Sequence, residues 1–375
     1  FSSERLGPRS VWLLPVAQGR AQGTPRLVVQ SAGDMRPIGF AQNGAYFYST
    51  WATAADIYTA KINTTTAQLV SAPVPLEGGG FNQVADWSPD GKYLAYGSRP
   101  VTAPQSAPGV IRIRSLATGE ERELVNKLAP FDCLRWSPDG HSLLVSGLRA
   151  YRPEDIAFTG RVYRIDAATG EPTVLLENKV DNWVMMAELS PGGKTLYYWQ
   201  AGIVRREIDT GQETTLLTPL NKGPWASWAL SPNGEFIATG FNEGTGRKGP
   251  RGEMEGGVKK VLLIPSQGGE ATELVRWDQE PASFLTHTCW SPDGKTVLFT
   301  LSKGATTEFW QVSIDGGEPC KIMETDLGML GRRGFRVHPD GQRIAFPSAT
   351  GSYMLWAMEN FLPAAKAADT STSVT

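Results

Sequence analysis

The residues of this 375-residue chain with the most chemistry to offer are three histidines, three cysteines and a scatter of carboxylates. Their spacing withholds most of that chemistry. His141 and His338 sit in copies of one turn phrase and His287 falls in a connection at the opposite end of a strand, so the three cannot converge on one metal. Cys133, Cys289 and Cys320 are too few and too scattered for a disulfide framework or a zinc site. No Gly-x-Ser-x-Gly elbow occurs, which excludes a complete serine peptidase. An acid/base pair such as Asp132 with Asp181 is conceivable, but nothing in the spacing singles it out. The glycines and three basic residues of 242–257 imitate a phosphate loop; no helix follows to present its N–H groups, and the segment reads as a surface loop. Recognition is better served. Arg149, Tyr151, Asp181, Trp183, Trp225, His287, Arg332 and Arg333 include the Trp, Tyr and Arg types that concentrate at binding hot spots. No catalytic residue, metal ligand or cofactor is expected.

What positions these residues is an internal repeat. The phrase Trp87-Ser-Pro-Asp-Gly91 returns as Trp136-Ser-Pro-Asp-Gly140, Leu189-Ser-Pro-Gly-Gly193, Leu230-Ser-Pro-Asn-Gly234, Trp290-Ser-Pro-Asp-Gly294 and Val337-His-Pro-Asp-Gly341, with a degenerate first copy, Phe40-Ala-Gln-Asn-Gly44. The final glycines fall at 44, 91, 140, 193, 234, 294 and 341, so the gaps are 47, 49, 53, 41, 60 and 47 residues. That is the size of a four-stranded propeller blade. Proline pre-sets the first corner of a type I turn, Asp or Asn suits the second, and Gly takes the left-handed position that follows. Short aromatic and β-branched runs come next, such as Tyr93–Tyr96, Val297–Phe299 and Ile344–Phe346. A second phrase, as in Ala167-Ala-Thr-Gly-Glu171 and Ile314-Asp-Gly-Gly-Glu318, marks an outer hairpin.

The expected fold is therefore all-β: a seven-bladed β-propeller of four-stranded antiparallel blades over 1–363, with repeats near 34–76, 81–125, 131–177, 183–218, 225–275, 284–324 and 333–362 plus 9–30. N-terminal strand material completing the last blade would leave no free edge, with 11–16 and 354–361 as rival candidates for its third strand. Residues 364–375 read as a disordered tail. The Pro-Asp-Gly and Thr-Gly-Glu turns share one face. The irregular D–A and B–C connections, including insertions at 99–109, 149–160 and 242–257, occupy the other and carry the Trp/Tyr/Arg mouth.

Composition sets outer limits. With 36 Lys+Arg against 38 Asp+Glu, a net charge of −2 provides no footprint for nucleic acid. No run of about 18 apolar residues exists to insert in a membrane. Forty-one glycines and 26 prolines suit many short strands and tight turns.

These Trp-Ser-Pro-Asp-Gly-Lys and Thr-Gly-Glu phrases resemble the WD40-like (PD40) repeats of TolB propellers over roughly residues 9–362, and the TolB-like propeller regions of acidobacterial proteins. The resemblance implies a periplasmic or extracellular, monomeric binding or sensor propeller for a protein or a cell-envelope or carbohydrate ligand. The competing expectation is a propeller enzyme, a carbohydrate lyase or hydrolase with its site in the central funnel, where Tyr151, Trp183 and Trp225 would stack on sugar rings.

Overall fold

In the computed structural model each Ser-Pro-Asp-Gly phrase closes as its residues demand. The Gly91, Gly140 and Gly294 N–H groups donate to the carbonyls of Ser88, Ser137 and Ser291 at 2.8, 2.9 and 3.0 Å. The six glycines from Gly91 to Gly341 sit at φ between 68° and 75°. The serine is a second lock: Ser88 Oγ donates to Asp90 Oδ1 at 2.6 Å and accepts the Tyr93 N–H at 2.9 Å. Serine hydrogen bonds of this kind hold Asp90, Asp139 and Asp293 below the usual carboxylate range. His338 takes the serine slot in the last copy, where Nδ1 accepts the Asp340 N–H at 3.0 Å and Nε2 donates to Gly91 O at 2.9 Å.

A left-handed glycine tolerates a side chain badly, but the surroundings differ from turn to turn. A Cβ on Gly140 would meet nothing nearer than Pro89 Cδ at 3.8 Å, whereas on Gly91 it would lie 2.8 Å from His338 Cε1. Gly140→Ala is expected to cost about 1 kcal/mol from backbone strain alone. Gly91→Ala should cost measurably more, read as the difference in urea midpoints of the two variants.

The structure describes residues 1–3, 10–30, 35–76, 80–100, 109–124, 131, 133–146, 149–152, 155–158, 161–177, 184–218, 225–243, 258–277, 283–303, 306–327 and 334–359. They form strands and turns, with no helix among them. Two compact units are distinguished: residues 54–350, and residues 1–53 with 351–375.

The larger unit holds six sets of antiparallel strands, numbered here as sheets, of which sheets 1 and 6 are joined by the parallel pairing of Phe81 with Ala55. Sheet 1 runs Phe81–Trp87, Tyr93–Arg99, Val110–Ser115, Glu121–Leu124. Sheet 2 runs Cys133–Trp136, Ser142–Ser146, Arg161–Asp166, Pro172–Glu177. Sheet 3 is Met185–Leu189, Thr195–Trp199, Ile203–Glu207, Glu213–Leu217. Sheet 4 is Trp225–Leu230, Phe236–Glu243, Val258–Pro265, Thr272–Trp277. Sheet 5 is Ser283–Trp290, Thr296–Lys303, Thr306–Ser313, Cys320–Thr325. Sheet 6 is discontinuous in sequence. Arg336–Val337 pairs with the start of Arg343–Met358, which pairs with the end of Tyr46–Asn63, whose last residues pair with Gln68–Leu69.

Packing closes these six into a ring. Each apolar cluster of the larger unit lies between two consecutive sheets: Leu134 and Val145 meet Val84 and Ile113 between sheets 1 and 2, and Trp290 and Phe299 meet Ala238 and Val261 between 4 and 5. The circuit ends where Ile57 and Ala345 of sheet 6 meet Trp87, Leu94 and Tyr96 of sheet 1. Trp87 Nε1 also donates to Arg336 O across that junction at 3.2 Å. The strand that completes the ring is not the N-terminal material of 9–30 expected there. Among the described residues six such sets of strands make the ring of the larger unit, and the degenerate Phe40–Gly44 phrase turns a hairpin, Met35–Phe40 with Tyr46–Asn63. The third strand of the last sheet is neither 11–16 nor 354–361 but the stretch ending at Asn63. In the smaller unit Ser10–Leu13 belongs instead to a three-stranded sheet with Ser2–Ser3 and Arg26–Val29.

Candidate functional site

Side chains alternate along a strand, so a repeat Trp or Leu that enters a junction between sheets turns its predecessor the other way. Trp87, Leu189 and Trp290 are such junction residues. The predecessors in sheets 1 to 6 are Asp86, Arg135, Glu188, Ala229, Cys289 and Arg336, and all six line one cavity of about 180 Å³. The inner strands carrying them neighbour one another in the cyclic order of the sheets. Four consecutive positions therefore alternate in charge, from Arg336 through Asp86 and Arg135 to Glu188, and two small residues complete the circle.

The four charges are held tightly. Glu188 Oε1 accepts from Arg135 Nε at 3.1 Å and from Arg336 Nη2 at 3.3 Å, while Oε2 accepts the Leu230 N–H of the next sheet at 2.8 Å. Asp86 Oδ2 accepts the Trp136 N–H at 2.8 Å, and Oδ1 stands 3.7 Å from Arg336 Nε. Each guanidinium also donates to the carbonyl of its preceding residue, Leu134 at 2.7 Å and Phe335 at 3.1 Å. The indoles of Trp136 and Trp290 donate to the backbone carbonyls of the axial residues Asp86 and Ala229 at 3.2 and 2.9 Å. The same repeat residue thus seals a junction and fixes the axial strand beside it.

Three residues before the junction anchor, several inner strands carry a bulge. Register shifts occur at Gln83/Ala85, Met185/Glu188, Trp225/Trp228 and Leu285/His287. Val84 and Met186 there have φ of 43° and 49°, and Gly334 in sheet 6 has 71°. Positive φ at a β-branched residue is a conformation that only surrounding structure can impose, and bulges of this kind re-aim the side chains that follow.

Burial governs the carboxylates. It pushes Asp86 up to about 6 against the opposing pull of Arg135 and the backbone donors, and it raises Glu188 as well. It also pushes the Cys289 thiol up to about 12. A raised carboxylate favours the folded state while protonated. Its contribution is fully present below about pH 4 and is lost as pH rises through about 6. Asp86→Asn should therefore flatten the stability-versus-pH curve between those limits, where the wild-type chain loses on the order of 3 kcal/mol relative to the variant. Denaturant titrations of both proteins from pH 4 to 8 read the difference; parallel curves would show that Asp86 ionises as in water.

The residues expected at the mouth are distributed differently. Arg149 and Tyr151 lie on Arg149–Arg152, which pairs with Asp155–Phe158 in a separate two-stranded ribbon between the second and third strands of sheet 2. Trp225 begins the inner strand of sheet 4, opposite Phe241. Asp181, Trp183, Arg332, Arg333 and Asp132 lie outside the described residues. His287 is corrected: it belongs to the inner strand Ser283–Trp290, is 1% exposed and has Nδ1 3.3 Å from Thr300 Oγ1, so it is not part of an open loop surface. Asp86, on the inner strand of sheet 1, lines the axis. Arg135, Glu188 and Arg336 were not anticipated, although each stands immediately before a repeat anchor, and aligning the phrases one residue further back would have displayed them.

No family model matches this chain, and no curated protein matches it in sequence. Solved structures do. A protein assigned as TolB from Agrobacterium tumefaciens matches with TM-score 0.56 and 19% identity, covering 80% of this chain and 99% of that one. TolB from Acinetobacter baumannii matches with TM-score 0.50 and 19% identity over 80% of this chain and 66% of that one. At such identities the likeness concerns the fold, and the fold is that of a TolB-like β-propeller.

Proposed function

We propose that this chain is a non-catalytic binding propeller, an interaction or sensing module working in the periplasm or outside the cell as a monomer. The supporting observation is the axial cavity, whose acids are paired with Arg135 and Arg336 and each accept a backbone N–H, an arrangement for holding a shape rather than for moving protons. Around it the D–A and B–C connections would supply a rim, with Arg149, Tyr151, Asp181, Trp183, Trp225, Arg332 and Arg333 as anchors for a protein or a cell-envelope or carbohydrate ligand. Nucleic acid and membrane insertion have no part in this reading. The test is a screen of oligosaccharides and envelope extracts followed by an alanine scan. Loss of a rim anchor or of Arg135 should weaken binding about thirtyfold, the equivalent of about 2 kcal/mol, and Gly140→Ala should leave affinity unchanged. Binding defects confined to the Pro-Asp-Gly turns would sink this choice of surface.

One observation favours a second reading. Asp86, pushed up to about 6, shares the cavity with a second carboxylate, Glu188, and a buried acid of that kind can deliver a proton near neutrality. A carbohydrate lyase or hydrolase would then release new reducing ends from an oligosaccharide panel and lose that turnover in Asp86→Asn. The binding reading expects no turnover in either protein.

A further inference from the structure

The cavity has an imbalance that indicates what it takes. Glu188 is fully engaged, with two guanidinium contacts on Oε1 and a backbone N–H on Oε2. Asp86 Oδ2 accepts the Trp136 N–H, and Oδ1 stands 3.7 Å from Arg336 Nε. The donors are used less completely. A guanidinium has five N–H groups. Arg135 directs one to Glu188 and one to Leu134 O, and Arg336 one to Glu188 and one to Phe335 O. The 3.7 Å from Arg336 Nε to Asp86 Oδ1 is an ion-pair distance, too long for a hydrogen bond. Among the described residues, each guanidinium thus keeps three N–H groups beyond those two bonds. Both arginines are at least nine-tenths buried, Arg135 at 9% exposure and Arg336 at 8%, so these donors meet little bulk water. Opposite them, sheets 4 and 5 contribute the small side chains of Ala229 and Cys289, with Leu230 and Trp290 beside them, so that side of the cavity is uncharged.

We propose that the axial cavity is a carboxylate-binding subsite, in which Arg135 and Arg336 receive the carboxylate and the space beside Ala229 and Cys289 receives a short aliphatic stem. This assignment rests on the binding reading above and names its ligand chemistry. At about 180 Å³ the cavity is smaller than the roughly 300–1,000 Å³ of sites that enclose a drug-sized molecule, so the occupant is a group the size of one amino-acid residue. Bidentate pairing is the geometry a guanidinium offers a carboxylate, and it is the reason arginine suits the task. A cation finds no equivalent, since three of the four carboxylate oxygens are already committed. The same chemistry can come from a free small acid or from the C-terminal residue of a polypeptide.

The experiment is titration calorimetry of the full chain with glutarate, glutaramide, 1,5-diaminopentane, and N-acetyl-Gly-Gly-Ala with either a free or an amidated C-terminus. Glutarate should bind saturably at one site, at least tenfold more tightly than glutaramide, and 1,5-diaminopentane should not bind. A free-acid peptide that matches or exceeds glutarate, with its amide inert, identifies a polypeptide terminus as the source; glutarate binding alone identifies a small acid. Arg135→Gln should weaken glutarate at least tenfold. Because that change can also unsettle the fold, Ala229→Leu is the companion variant: it fills the cavity, leaves all four charges in place, and should weaken glutarate to a similar degree. Saturable binding of the amide or the diamine as strong as that of glutarate overturns the assignment, as does glutarate affinity unchanged in folded Ala229→Leu. Should glutarate not bind at all while Arg135 and rim variants still lose an envelope ligand, the carboxylate assignment fails and the binding reading stands; absence of any such ligand removes both.

Discussion

Removing residues 1–69 should abolish folding of the propeller, whereas removing residues 1–30 should leave its cooperative unfolding in place. The shorter deletion takes only strands of the smaller unit, Ser2–Ser3, Ser10–Leu13 and Arg26–Val29 among them. The longer one takes the third and fourth strands of sheet 6. It strips Ile57, Ala60 and Ile62, each under 4% exposed, from the junctions with sheets 1 and 5. It also bares the edge of Arg343–Met358, an open row of backbone donors and acceptors that invites aggregation. Circular dichroism melts and sedimentation of the two truncations read the result. A soluble, cooperatively folding 70–375 fragment would contradict the closure described above.

The second large effect concerns the axial charges. Arg135→Met removes one guanidinium from Glu188 and leaves a buried carboxylate less well compensated, a loss of about 3–5 kcal/mol. The expected signature is strong non-additivity. Replacing Asp86, Arg135, Glu188 and Arg336 together with apolar residues of similar volume should recover most of that stability, because an intact buried ion network adds little over well-packed hydrocarbon. The fourfold variant should nevertheless lose binding. Chemical denaturation of the single and fourfold variants separates the two consequences; equal losses in both would mean that the network contributes stability of its own.

Much of this architecture was legible in the residues. The Pro-Asp-Gly phrases predicted left-handed glycines and type I turns, and six of the seven glycines open a sheet as expected. The first copy departs from the other six. Phe40-Ala-Gln-Asn-Gly44 has the turn glycine but lacks both the serine lock and the proline, so it closes a hairpin without building a four-stranded sheet. The strand that follows it, Tyr46–Asn63, is 18 residues long and contains no Gly or Pro to mark where one role ends and the next begins. Local turn chemistry says nothing about which sheet such a strand will join; that is decided by long-range packing of Ile57 and Ile62. The axial site was hidden for a different reason. Isolated charges before a repeat phrase read as solvated surface, and only the ring, by bringing four inner strands to one axis, makes Asp86, Arg135, Glu188 and Arg336 neighbours. His287 failed in the opposite direction, since its place near a connection suggested exposure, and the bulge beside it keeps it on the buried strand.

Hydrogen exchange with peptide-level resolution tests the closed six-sheet ring most directly. Amides that open only with global unfolding are found in strands built into the core, and amides in peripheral pairings exchange through local openings. Residues 57–62 should exchange as slowly as the second strands of sheets 1 and 6, near Leu94–Tyr96 and Ile344–Phe346, and residues 10–29 should exchange independently of them. Fast exchange across 57–62, together with protection of 10–29 that tracks 344–346, would place the wrong segment in the last sheet and contradict the account.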